Sequence, residues 1–229
     1  MINKIANSIA ESLQSVKDGD TVMIGGFGTA GIPEALIDGL LAQGAKDLTL
    51  VNNNAGNAEH GVAALLKAGR VRKVICSYPR QADSYVFDAL YRSGQLELEL
   101  VPQGNLVERI RAAGAGIGAF FCPTGYGTEL AKGKEVREIN GKMYVLEQPI
   151  RGDVALIKAE SGDRWGNLTY RMAARNFGPA MATACAWTVA SVHEVVELGA
   201  LDPEAIVTPG IYVNQVVLVD RVATAAGGI

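Results

Sequence analysis

The sequence predicts an α/β fold: a mainly parallel sheet flanked by helices, with one small antiparallel excursion. Three observations predict it. Short β-branched runs alternate with amphipathic stretches along most of the chain, several of those runs end in glycine-, asparagine- or glutamine-rich turns, and a charged middle segment carries the Asn140-Gly141 pair of a two-residue hairpin. Parallel neighbours need a crossover, usually a helix, so steady alternation favours the parallel arrangement.

Taken in order, Ile5, Ile9, Leu13 and Val16 recur at spacings of four, four and three, which predicts a helix over 3–16 stopped by Asp18-Gly19-Asp20. Thr21–Ile24 reads as a strand, followed by the glycine loop 25–31 and a helix over 33–43 that opens on Pro33 and stops at Gly44. Leu48–Val51 is a second strand, running into Asn52-Asn53-Asn54-Ala55-Gly56. A third strand covers 71–77, a helix 83–92 closes at Gly94, and a fourth strand covers 96–101. Pro102-Gln103-Gly104-Asn105 follows as a turn, and helix resumes over 106–113. Segments 154–158, 168–170, 188–192 and 212–219 supply further strands. No Ser-rich or Pro-rich linker separates them, so residues 1–229 are expected to form a single domain.

Composition narrows the function. The chain is 48 % apolar, enough for a substantial core, which excludes disorder. Lys plus Arg is 21 against 24 Asp plus Glu, a net charge of −3 with the signs interspersed, so nucleic acid is not an expected partner. The uncharged runs 112–128 and 177–192 contain glycine or proline and fall short of the roughly 20 residues that a membrane span needs. They read as buried core, and no membrane association is expected. Cys76, Cys122 and Cys185 are odd in number and widely spaced, which fits a reducing cytoplasm better than a disulfide framework. His60 and His193, each beside a glutamate, lack a third ligand at metal spacing, so both read as surface side chains and no metal site is expected.

Ligands of open α/β sheets sit beyond the carboxyl ends of strands, and three such ends here carry the turns 25–31, 52–57 and 102–105. They are expected on one rim. Gly26-Phe27-Gly28-Thr29-Ala30-Gly31 satisfies G-x-G-x-x-G between a strand and a helix, the context of a dinucleotide fingerprint. Yet no acid stands about 20 positions on to hold a ribose; Asn52, Asn53 and Asn54 occupy that place, and Pro33 removes a backbone donor. A nicotinamide enzyme is therefore disfavoured. Two readings stay open for the loop: a plain chain reversal, or backbone contact with an anionic ligand at the positive end of a helix.

The arrangement Asp18-Gly19, Val22-Met23-Ile24, Gly25-Gly26-Phe27, Gly31 and Pro33 resembles the first signature of the class I CoA-transferases. Asn53-Asn54-Ala55-Gly56, Pro102-Gln103-Gly104 with Glu108-Arg109-Ile110-Arg111, Pro123-Thr124-Gly125-Tyr126-Gly127-Thr128, Gly166-Asn167 and Ala174-Arg175-Asn176-Phe177 are similar to the A-subunit pattern of 3-oxoacid CoA-transferases. The likeness runs from about Ile9 to Val217. It implies a fold like that of the NagB, RpiA and CoA-transferase group. It also implies transfer of CoA, commonly from succinyl-CoA, to a 3-oxoacid through an enzyme carboxylate, with CoA as a substrate moiety and no tightly bound cofactor.

In that family the reactive glutamate lies in a Ser-Glu-Asn-Gly-like turn on the B half, and this chain has no such sequence. Glu160-Ser161-Gly162 is the nearest imitation and reads as a solvated turn. The resemblance thus implies a B-subunit partner, in a heterodimer or an A2B2 heterotetramer, with no catalytic residue of this kind in the chain itself. Gln103 is the candidate donor to the acyl oxygen, Gly25, Gly26, Phe27, Gly28, Thr29, Ala30 and Gly31 the candidate CoA contacts, and Asn53, Asn54 and Arg80 the candidate substrate contacts. Segment 77–87 is closer to the 3-oxoadipate enzymes than to the acetoacetate enzymes, which remain the alternative. Arg80 would pair with the distal carboxylate of such a diacid, or else simply with Asp83. A nucleotide- or sugar-phosphate-binding module of related fold is the reading from a different class.

Overall fold

The computed structural model describes residues 1–221. Seven strands form one parallel sheet: β1 (Thr21–Ile24), β2 (Leu48–Val51), β3 (Val71–Cys76), β4 (Glu97–Leu100), β8 (Gly152–Lys158), β11 (Cys185–Val192) and β13 (Gln215–Leu218). Their order is β13-β11-β8-β1-β2-β3-β4. The chain winds outward from β1 to β4 and then returns to lay β8 on the other side of β1, so the strand order reverses between β1 and β8. Loops that follow β1, β2, β3 and β4 therefore emerge on one rim, as the sequence predicts.

Alternation along β1 explains the layers. Val22 and Ile24 join a core with Leu36 and Leu40 of α2 (Glu34–Gln43), Leu65 and Leu66 of α3 (Val62–Lys67) and Phe87 of α4 (Tyr85–Arg92). Met23 points the other way, to Leu106 and Ile110 of α5 (Gln103–Gly114) and Met181 of α6 (Gly178–Ala184).

The chain start departs from its predicted helix. Only α1 (Ile9–Ser12) is helical, because residues 4–6 are drawn into main-chain bonding beside β13: the Ala6 N–H donates to the Val216 carbonyl at 2.8 Å and the Val216 N–H to that of Lys4 at 2.8 Å. Ser8 caps the short helix by accepting from the Glu11 N–H. Leu13 and Val16 are still buried, so the apolar spacing reported burial correctly and conformation only in part.

The antiparallel excursion is a three-stranded sheet of β5 (Phe120–Cys122), β7 (Lys142–Glu147) and β6 (Val136–Ile139), turned at Asn140 and Gly141 with φ of +50° and +76°. A third sheet, β10 (Leu168–Thr169), β9 (Ser161–Asp163) and β12 (Glu194–Val196), takes up segment 168–170, which is therefore not in the main sheet. Two further expectations are corrected by the fold. Ser161 and Gly162 are buried in β9, not in a solvated turn, although Glu160 does reach an ion pair with Arg221. The uncharged run 177–192 is largely interior, but 112–128 is not: Ile117 and Tyr126 are each 48 % exposed. Lack of charge marks burial only where apolar bulk accompanies it, and 112–128 is mostly glycine, alanine and threonine at the surface.

Edge strand β4 is tied by charge. Lys73 on β3 reaches Glu97 and Glu99 at 2.9 Å each, and Arg109 of α5 reaches Glu99 at 2.9 Å. Burial works against ionising Glu99, but the Lys73 and Arg109 hydrogen bonds outweigh it and leave the carboxyl below its ordinary value. A depressed carboxyl stabilises the fold above its unfolded pKa and loses that contribution as pH falls through the folded one. Resistance to urea unfolding is thus expected to weaken below about pH 4.5, and Glu99→Gln to flatten that acid slope while lowering stability at pH 7. An unchanged slope would remove Glu99 from the set of acid-sensitive contacts.

Candidate active site

Three asparagines in succession leave β2 and each is used differently. Asn52 donates through Nδ2 to the Ile24 carbonyl at 2.6 Å and accepts from the Asn54 N–H at 2.9 Å, fixing the second loop to the end of β1. Asn53 is the hub. Its carbonyl accepts from the Ser77 and Tyr78 N–H groups after β3, and its Oδ1 accepts from Ser77 Oγ at 2.8 Å and from Gln103 Nε2 at 3.0 Å. The loops after β2, β3 and β4 therefore meet on one side chain. Asn54 Oδ1 accepts from the Gly56 N–H at 2.8 Å, while its buried Nδ2 has no partner among the described residues. Asn54 lines a cavity of about 80 Å³ shared with Gly28, Thr29, Gly56 and Asn57.

Gln103 is the first residue of α5, which starts three residues earlier than the sequence suggests because Pro102 sets the entry backbone with φ −51°. Its side chain is exposed, and one amide N–H is committed to Asn53. The other meets no acceptor among the described residues. An oriented amide with one spare donor, at the positive end of a 12-residue helix, suits an oxygen that gains negative charge.

The glycine loop after β1 is held from beneath. Gly25 donates to Leu156 at 2.9 Å, Gly26 donates to Asn176 Oδ1 at 2.9 Å, and Phe27 and Ala30 exchange N–H···O bonds at 3.0 Å. Asn176 Nδ2 in turn donates to the Ala30 carbonyl at 3.0 Å. The N–H groups of Gly28 and Thr29 take no main-chain acceptor among the described residues, so the tip of the loop carries its available donors. Phe27 beside them is half exposed. Gly31 is the buried anchor, at φ +71° and packed onto the Ala174 carbonyl oxygen.

Arg80 stands apart from this group. It pairs through Nε with Asp88 of α4 at 2.7 Å, not with Asp83, and half of its side chain is exposed beside the rim. Burial pushes the Cys76 thiol up to about 12 and also raises Cys185, as befits packing residues. His60 is exposed and His193, half-buried, faces the Val219 carbonyl through Nδ1 at 3.2 Å; among the described residues no group of three or more His, Cys, Asp or Glu side chains could hold a metal ion. Nor is any described helix long and apolar enough to cross a membrane.

Ser77, Asn105 and Glu147 carry no signal in the sequence, because their roles depend on contacts between segments far apart in the chain. For Asn176 a signal did exist, in the Ala174-Arg175-Asn176 motif.

Fold and site together define an α/β enzyme domain whose strand-end rim gathers backbone and side-chain amides, at the place where open α/β sheets bind their ligands. The chain belongs to the Coenzyme A transferase family, whose model matches residues 6–218. It is 67 % identical over 226 residues to the A subunit of the 3-oxoadipate CoA-transferase of Pseudomonas putida, covering 99 % of this chain and 98 % of that one. It is 61 % identical to the A subunit of the same name from Acinetobacter baylyi, covering 99 % of each. Its fold is also similar to that of glutaconate coenzyme A-transferase from Acidaminococcus fermentans, with a TM-score of 0.84 at 22 % identity over 95 % of this chain and 76 % of that one. Both sequence relatives are named as A subunits, which implies a second polypeptide beside each.

Proposed function

We propose that residues 1–229 act as the A-subunit domain of a CoA-transferase that moves CoA from succinyl-CoA to 3-oxoadipate, giving succinate and 3-oxoadipyl-CoA. The reactive glutamate comes from the B subunit. Its carboxylate attacks the donor thioester carbonyl, the resulting tetrahedral oxyanion collapses to a mixed anhydride, and the expelled CoA thiolate attacks the glutamyl carbonyl to leave an enzyme thioester and succinate. The acceptor 3-oxoacid reverses these steps. Gln103 donates its spare N–H to the oxyanion, Asn53 holds that amide in place, Asn54 shapes the substrate cavity beside Gly28 and Thr29, and the 25–31 loop meets CoA through its tip. The observation that carries this reading is the Gln103–Asn53 hydrogen bond at 3.0 Å on an exposed rim. Two relatives at 61 % identity or more, named for 3-oxoadipate, support the choice of substrate.

Arg80 supplies the distinction between a diacid and acetoacetate. With Nε on Asp88, its terminal nitrogens form a fork for the distal carboxylate. A charged hydrogen bond of about 1.5–3 kcal/mol corresponds to roughly ten- to a hundred-fold in preference. In the purified pair, Arg80→Ala is expected to lower kcat/KM for 3-oxoadipate by that factor and leave acetoacetate turnover unaltered. An unchanged ratio removes Arg80 from the site. Absence of any CoA exchange by the pair removes the function itself.

A further inference from the structure

Glu147 ends β7 at 2 % exposure. It is a carboxylate kept from solvent in a position where an apolar residue would be expected. Three side chains converge on it. Lys134, from the segment before β6, reaches its two oxygens at 2.9 and 3.0 Å; Asn105 Nδ2 donates to Oε1 at 3.1 Å; Arg109 Nε lies 3.8 Å from Oε2. Asn105 and Arg109 are four residues apart on one face of α5. One buried carboxylate thus fastens the antiparallel sheet to the opening turns of that helix.

Asn105 has no slack left. Its Nδ2 also reaches the Thr124 carbonyl at 3.3 Å, and its Oδ1 accepts from Cys122 Sγ at 3.2 Å. Arg109 is equally committed, donating to the Gln148 carbonyl at 2.6 Å and to Glu99 at 2.9 Å. Gln103, two residues before Asn105, reaches in another direction to Asn53. The first turn of α5 is therefore pinned at two places, by the rim through Gln103 and by the small sheet through Asn105. Releasing the second leaves the first to hold the turn alone.

We infer that Glu147 is a positioning residue, acting through Asn105 to set the place and angle of the Gln103 amide; this rests on the transferase reading above. Being fully enclosed, it does not touch substrate. Misplacing a catalytic group by about 1 Å can cost on the order of a hundred-fold, so loosening the turn reaches the chemistry without reaching the binding of substrate.

The test uses the full chain with its partner polypeptide. Glu147→Gln keeps the side-chain shape and removes the charge. It is expected to lower kcat about ten-fold or more with KM changed less than about two-fold. In a Gln103→Ala background the same substitution is expected to have no further effect, because its influence passes through Gln103. Equal losses of kcat in both backgrounds, or none in either, overturn the inference. A second readout needs no turnover: the side-chain amide resonance of Gln103, assigned by its disappearance in Gln103→Ala, should shift in Glu147→Gln, and an unmoved signal counts against the role. A pair that transfers no CoA but shows that shift refutes the transferase reading and keeps the positioning one. Should Glu147→Gln fail to fold, Lys134→Met opens the same cluster from its other side and carries the same expectations.

Discussion

Gln103→Ala, assayed with the partner polypeptide present, is expected to lower kcat by about 10²–10³ with little change in KM, the loss measured when one oxyanion donor is removed from an acyl-transfer site. Held on Asn53 at 3.0 Å, the Gln103 amide has surrendered its rotational freedom before substrate arrives, so its second N–H needs no reorganisation as charge develops. A ground-state carbonyl gains little from that donor, which is why the effect belongs in kcat. Asn53→Ala should reproduce part of the loss by freeing the amide, and also disturb the Ser77 and Tyr78 contacts that close the loop after β3. If Gln103→Ala instead raises KM with kcat intact, the residue binds substrate and does not stabilise the transition state.

Gly31→Ala should destabilise the chain by about 2–5 kcal/mol, combining the left-handed backbone cost of an alanine with overpacking of a closed contact. Its Cβ would fall on the Ala174 carbonyl oxygen and stand 2.7 Å from Asn176 Nδ2, both part of the segment that supports the glycine loop. Neither neighbour can yield easily, since one is main chain and the other is bonded to the Ala30 carbonyl. Gly28→Ala is the control. Gly28 sits at φ +60° with nothing among the described residues within 4 Å of the added methyl. The substitution there should cost about 1–2 kcal/mol, the backbone contribution alone. Urea unfolding followed by tryptophan fluorescence separates the two; equal losses would mean that the Ala174 contact gives way without cost.

The parallel sheet was legible because its strands are short, largely apolar and punctuated by glycine, as at Thr21–Ile24 and Leu48–Val51. The rim was legible for the same reason, since the turns after those strands hold amides where the core residues stop. Local pattern failed where a distant segment decided the outcome. Residues 4–6 pair with β13 across some two hundred positions of sequence, and no spacing in 3–16 records that. Ser161 and Gly162 look like a turn until β10 and β12 cover them. Glu147 looks like a surface charge ending an alternating strand; only the fold brings Lys134, Asn105 and Arg109 around it. Within the site, Asn53 and Gln103 could each be named from the strand-end rule, but their hydrogen bond required the structure.

The most direct measurement is to incubate the purified pair with succinyl-CoA, reduce the enzyme-bound thioester with borohydride, and locate the modified glutamate by mass spectrometry. A single reduced glutamate on the partner polypeptide, with none among the 229 residues of this chain, is the expected result. A reduced glutamate in this chain, or full transfer activity without the partner, would contradict it.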